Sequence, residues 1–270
     1  MSKSNRLNSD WQRHHRSLKA WNQAMSRWSR WIIPRIFTRR GYIFVAALPK
    51  SGSTLLNNAL IRLTGHFPHP LCDHHLHEQN IMQSRLIDSW GFRSIATHHT
   101  LATPLNVDLL RRFEIRPVVL VRDIFDAAVS LRDHTQNEAL STATFLPPPG
   151  YPDWTDARKL DAIVDLALPW HLSFTASWQA ASIDTLTISY EGLMRDPQTT
   201  LERVLDHIGL PDRKPGIAAA WEGAVGDGDT RRNVGRIGRG RAEFGDEQIA
   251  RLRHLAARYP DADFSIIGLD

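Results

Sequence analysis

Tyr42 to Leu48 is an apolar run short enough to be a buried strand. Pro49 ends it, and Lys50-Ser51-Gly52-Ser53-Thr54 follows as a tight polar loop. Apolar residues then recur at Leu55, Leu56, Ala59, Leu60 and Leu63, the spacing of one helical face. The same strand-then-helix rhythm repeats downstream. Ser94–His98 reads as a short strand, and Pro104–Phe113 as a helix with proline well placed at its start. Arg116–Val121 reads as a second parallel strand ending at Arg122-Asp123, with a helix from Ile124 to about Arg132. Asp161–Ala181 predicts one long helix kinked at Pro169, Thr185–Ser189 a strand, and Pro197–Ile208 a helix closed by Gly209. The last helix runs from Asp246, its expected cap, to Arg258.

Two stretches fit neither period. Thr142–Asp156 is rich in proline and aromatics and reads as a mobile cover over a binding site. Residues 222–245 return to glycine and arginine, with Arg231, Arg232, Arg236, Arg239 and Arg241 close together.

Strands alternating with helices imply one α/β domain, a central parallel sheet with helices on both faces. The 270 residues and 42% apolar content suit such a core, here placed at 41–270. Residues 1–40 differ. They hold ten Lys/Arg against one acid, so of the overall +4 the rest of the chain carries −5. That mildly acidic remainder argues against a broad nucleic-acid surface. Trp21, Met25, Trp28 and Ile32 share one helical face in this basic segment. Such a face can lie on an anionic membrane or pack on the domain. No run is long enough to span a membrane, and no signal-peptide core is present. With one cysteine, Cys72, no intrachain disulfide is possible, which fits a reducing, cytoplasmic setting. Cys72, His74, His75, His77 and Glu78 cluster, but their spacing matches no defined zinc pattern and no metal is expected.

Strand, small-residue loop and helix form the layout of a phosphate cradle. Loop N–H groups and a helix N-terminus face an anion, and the lysine adds full charge. The Walker A order G-x-x-x-x-G-K-S/T is absent, because here the lysine precedes the glycine. Ligands of parallel sheets sit at the carboxyl ends of the strands. The Lys50 loop, His98, Arg122 and Tyr190 each follow a predicted strand, so four distant polar groups converge on one edge.

In its order P-K-S-G-S-T the loop resembles the 5′-phosphosulfate loop of the PAPS-dependent sulfotransferases. The resemblance spans about residues 42–258. It implies that Lys50, Ser51, Gly52, Ser53, Thr54 and Leu55 bind the 5′-phosphosulfate. Arg122 and Ser130 match the family's 3′-phosphate pair, and Tyr190, in Y-E-x-L/M before D-P, matches an adenine contact. It also implies that His98 acts as the base, with the adjoining His99 as the competing assignment, and that Lys50 stabilises the leaving oxygen. The implied reaction is in-line sulfuryl transfer from PAPS to a hydroxyl or amine of a small-molecule or lipid-like acceptor. Two positions depart from the family. Ala96-Thr97-His98 stands where Lys-Thr-His is common. Asn233 and Val234 stand at the arginine and lysine of R-K-G-x-x-G, leaving Arg231, Arg232 or Arg236 to supply that charge. The alternatives are an ATP-dependent kinase, with Asp123 as its one magnesium candidate, and a non-catalytic membrane-associated protein on a decayed fold.

Overall fold

The apolar run Tyr42–Ala47 forms strand β1, and its register carries the architecture. In the computed structural model, residues 41–72, 79–89, 92–137, 144–227 and 237–270 are described. β1 pairs in parallel with β3 (Ser94–His98) on one side and β4 (Val118–Val121) on the other. The short edge strand β2 (Phe67–Pro68) extends the sheet beyond β3, and β5 (Leu186–Ser189) extends it beyond β4. The order is β2-β3-β1-β4-β5, all parallel. The chain therefore crosses over β1 between β3 and β4, which opens a crevice at their carboxyl ends.

Helices cover both faces, as the near-continuous apolar strands require. Ile43, Val45 and Ala47 point to one layer, where helix α1 (Ser53–Thr64) contributes Leu56, Leu60 and Leu63. Phe44 and Ala46 point to the other. There they meet α3 (Pro104–Arg112) and α4 (Ile124–Asn137), which follows β4. Each fully buried side chain of this size contributes roughly 1.5–3 kcal/mol relative to exposure. β2 leads through the short helix α2 (Gln83–Asp88) to β3.

The predicted long helix is two helices, α5 (Asp156–Leu166) and α6 (Leu168–Gln179), broken at Ala167. Pro169 has no N–H and its ring collides with the carbonyl four residues earlier, so no helix runs through it. It sits instead in the first turn of α6, where no N–H is needed. After β5 come α7 (Tyr190–Arg195), α8 (Pro197–His207) and α9 (Ile217–Val225), of which the pattern predicted only α8. The closing helix α10 (Asp246–Ala256) takes Gly245 as its cap, with Gln248 Oε1 accepting the Gly245 N–H at 3.0 Å. Asp246 is its first helical residue rather than its cap.

From Thr144 to Asp156 the expected cover is seated rather than loose. Phe145 and Tyr151 are buried and meet edge to face, with ring centroids 5.7 Å apart. Residues 1–40, with their Trp-basic face, lie outside the described residues, as do His74, His75, His77 and Glu78; Cys72 is buried. Among the described residues no helix is long and apolar enough to cross a membrane.

Candidate functional site

The β1–α1 loop is bent by two left-handed residues, Lys50 at φ 64 and Gly52 at φ 80. Left-handed backbone is uncommon for a lysine, and its neighbours hold it there. Ser51 is fully buried and its hydroxyl donates to the Leu48 carbonyl at 2.6 Å. Gly52 caps α1 without any side-chain hydrogen bond, and the first turn of α1 carries no acid. The N–H groups at Ser53 and Thr54 therefore belong to an uncapped, positively polarised helix end. Leu55 turns inward and anchors that first turn in the core.

Gly52 is also required sterically. An added Cβ would stand 2.6 Å from Tyr190 Cδ2, and its φ of 80 strains any residue that carries a side chain. Gly52→Ala is thus expected to cost at least roughly 1–2 kcal/mol of stability from the backbone alone. It should also weaken anion binding at the loop, read by thermal melting with and without nucleotide. Unchanged melting and unchanged nucleotide affinity would show that the loop tolerates a side chain there.

Arg122, the first residue after β4, is 7% exposed. Its Nη1 donates to the Lys50 carbonyl at 2.9 Å, and its guanidinium carbon lies 4.6 Å from the Tyr190 ring centre. Nη2 is 3.8 Å from Asp126 Oδ2, beyond hydrogen-bond distance, and buried Nε has no partner among the described residues. The Nε/Nη2 edge, the kind that grips phosphates with two parallel N–H bonds, is thus buried and makes no hydrogen bond among the described residues. Tyr190, the first residue after β5, is wedged between this arginine and the Lys50 loop. Ser130 lies midway along α4, partly exposed, two turns beyond Arg122.

The geometry separates the two histidines. His98 ends β3 and is buried, and its Nε2 accepts the Leu71 N–H at 2.9 Å. That nitrogen is spent on the fold. His99 is partly exposed, and its Nδ1 is 2.8 Å from the Ala47 carbonyl, to which it must donate. The neutral ring then carries its lone pair on Nε2, the tautomer a base requires. A third histidine, His171 on α6, is fully buried, and its Nε2 makes no hydrogen bond among the described residues. Burial first, and then His99, push it down to about 4, and the Pro49 carbonyl is among its neighbours. His171 is neutral at pH 7 and packs behind the loop. In sequence it is one of several polar residues in this helix, with Ser173, Thr175, Ser177 and Gln179, so periodicity did not mark it.

Asp123 is not placed to hold magnesium. Its Oδ1 accepts the Phe125 and Asp126 N–H groups at 3.0 and 2.9 Å, capping α4, while its Oδ2 abuts Gly268. Its N–H donates to Glu191 Oε1 at 3.1 Å, and burial raises both carboxyls above their ordinary range. Arg231, Arg232 and Arg236 lie outside the described residues. The turn that follows them is fixed on α4: Asp126 accepts the Gly238 and Gly240 N–H groups at 2.8 and 2.7 Å. The sequence offered Asp126 only as an ion partner for Arg122 one helical turn away; the backbone groups it holds are more than a hundred residues along the chain.

Two solved structures share this fold. Mouse sulfotransferase SULT7A1, complexed with PAP, is 17% identical, with a TM-score of 0.60 over 86% of this chain and 90% of that one. Retinol dehydratase, in complex with androsterone and the inactive cofactor PAP, is 14% identical, with a TM-score of 0.54 over 84% and 83%. No curated protein matches the chain by sequence. The family model described as the sulfotransferase domain matches residues 40–218, from the start of β1 into α9 and across every strand. The chain belongs to the sulfotransferase domain family.

Proposed function

We propose that this chain transfers the sulfuryl group of PAPS to a hydroxyl or amine of a small-molecule or lipid-like acceptor, releasing PAP. The observation that carries this reading is Arg122. A buried guanidinium whose Nε/Nη2 edge makes no hydrogen bond among the described residues, near an uncapped helix end, suits two separated anionic groups. The absence of a side chain at Gly52 lets Tyr190 pack directly on the loop, and from there Tyr190 is positioned to bound an adenine. The two structural relatives were solved with PAP.

PAPS supplies the activated sulfuryl group. His99 Nε2 takes the acceptor proton as the acceptor oxygen or nitrogen bonds to sulfur. The bond from sulfur to the bridging oxygen breaks, and its electron pair stays on the departing phosphate. Lys50 and the N–H groups of Gly52, Ser53 and Thr54 stabilise that charge, so positioning and electrostatics supply the rate. His99 replaces the expected His98 because His98 Nε2 already accepts a backbone N–H. Ser130 remains proposed as a partner of Arg122 on the 3′-phosphate, and Arg231, Arg232 and Arg236 as further cations toward it.

The use of Asp123 Oδ1 as a helix cap counts against the kinase alternative, whose one magnesium candidate it was. Calorimetric titration of PAP, 5′-AMP and Mg-ATP tests the choice. Hydrogen bonds to charged groups contribute about 1.5–3 kcal/mol each, so two should separate PAP from 5′-AMP by about two decades or more. Arg122→Ala should erase most of that gap by weakening PAP. Equal affinities, or tighter Mg-ATP, would defeat the proposal. Tight PAP binding with no transfer to any acceptor in a labelled-PAPS screen would favour a non-catalytic binding protein.

A further inference from the structure

Asp126 is fully buried, yet it touches no candidate reacting atom. It lies one helical turn beyond Arg122, in the first turn of α4. Ionised carboxylates are kept in dry interiors only where donors and cations replace their lost hydration. Here the donors come from the far end of the chain. Oδ2 accepts the Gly238 N–H at 2.8 Å and Oδ1 the Gly240 N–H at 2.7 Å. The cation is Arg122, with Nη2 3.8 Å from Oδ2.

The turn is pressed directly onto α4. An added Cβ at Gly240 would stand 2.3 Å from the Phe125 carbonyl carbon, so backbone packs on backbone. Gly238 is left-handed at φ 81. Beyond it, Arg239 pairs with Asp133, Glu243 with Arg132, and Phe244 meets Phe125 edge to face at 5.0 Å. One carboxylate oxygen therefore serves two masters, the Gly238 N–H and the guanidinium. A shift of the turn must move the charge that Arg122 feels. At 3.8 Å that charge faces Nη2 without taking a hydrogen bond from it, so the donors of the Nε/Nη2 edge are unspent among the described residues.

We propose that Asp126 is a positioning residue that ties the 238–240 turn to the Nε/Nη2 edge of Arg122. The placement of that turn thereby sets how strongly the site selects a 3′-phosphorylated nucleotide. The inference rests on the assignment of Arg122 to the 3′-phosphate and adds the device that aims it.

The test is calorimetric titration of PAP and 5′-AMP against the full chain and three variants, with thermal melting in parallel. Asp126→Asn keeps the shape but can accept only one of the two N–H groups. It should cut the PAP preference by at least about tenfold, leaving 5′-AMP affinity within about threefold. Gly240→Ala leaves the carboxylate in place and pushes the turn off Phe125, and should act in the same direction. Glu243→Gln cuts a partly exposed pin of the same turn and should lower the preference about threefold. It keeps the question open to measurement if either buried variant does not fold. Lower melting with an unchanged PAP preference would reduce Asp126 to a structural residue and overturn the inference. Equal weakening of both nucleotides would overturn it too. A wild-type protein without PAP preference would instead sink the Arg122 assignment beneath it.

Discussion

Replacing His99 with alanine is expected to lower single-turnover sulfuryl transfer by about 10²–10⁴-fold, the usual contribution of a positioned base. PAP affinity should stay within about threefold of wild type, because the ring is assigned to the acceptor proton and not to the nucleotide. The argument rests on tautomers. A carbonyl can only accept, so the bond to Ala47 fixes the proton of His99 on Nδ1 and frees Nε2. A backbone N–H can only donate, so Leu71 fixes the lone pair of His98 on its own Nε2 and uses it. His98→Ala should therefore act through the fold. It opens a cavity beside Phe44 and strands a buried N–H, which costs about 1–3 kcal/mol on its own. Melting curves and single-turnover rates of the two variants separate these roles. A large rate loss in a stably folded His98→Ala, with His99→Ala near wild type, would return the base to His98.

His171 bears on the same chemistry from behind. Its burial keeps it uncharged, so it sets no second cation beside His99 near neutral pH. A permanently charged group in that position would suppress protonation of His99 as it takes the acceptor proton.

Much of this arrangement could be read from the sequence, and the exceptions have physical causes. β1, the Lys50 loop and α1 were legible because apolar runs, a proline and a glycine mark each boundary in succession. Arg122 and Tyr190 were legible as ends of strands. The choice between His98 and His99 was not. Alternation along a strand says that the two rings point to opposite sides, but not which side holds the loop. That depends on Leu71 and Ala47, which approach from other elements. α7 was missed because six residues carry too little periodicity, although Ser189, whose hydroxyl accepts the Gly192 N–H at 3.1 Å, is an N-cap in plain view. The break at Ala167 was visible only as a proline, and the pattern on both sides remained helical. The spacing of Asp126 from Arg122 offered an ion pair, but the turn that Asp126 holds had no signature, because those partners are main-chain groups and backbone donors have no letter in a sequence.

Replacing Lys50 with alanine is expected to reduce transfer by about 10²–10³-fold, the scale seen when one donor to a developing oxyanion is removed. PAP affinity should fall far less. The contacts that hold the nucleotide, in this assignment, come from loop N–H groups and from Arg122, and alanine leaves that framework in place. The Lys50 carbonyl still accepts Arg122 Nη1, and Ser51 still bonds Leu48. What disappears is a full positive charge whose value rises as the bridging oxygen becomes an anion, so the loss belongs in the chemical step. The backbone at this position is left-handed, which alanine tolerates as poorly as lysine does, so the comparison is not confounded by relief of strain. Lys50→Arg is expected to restore only part of the rate, because a planar fork does not present a compact point charge at the same place. Single-turnover transfer and PAP titration on the three proteins decide it. A rate within threefold of wild type for Lys50→Ala, or an equal loss in rate and PAP affinity, would move Lys50 from the reacting oxygen to simple nucleotide binding.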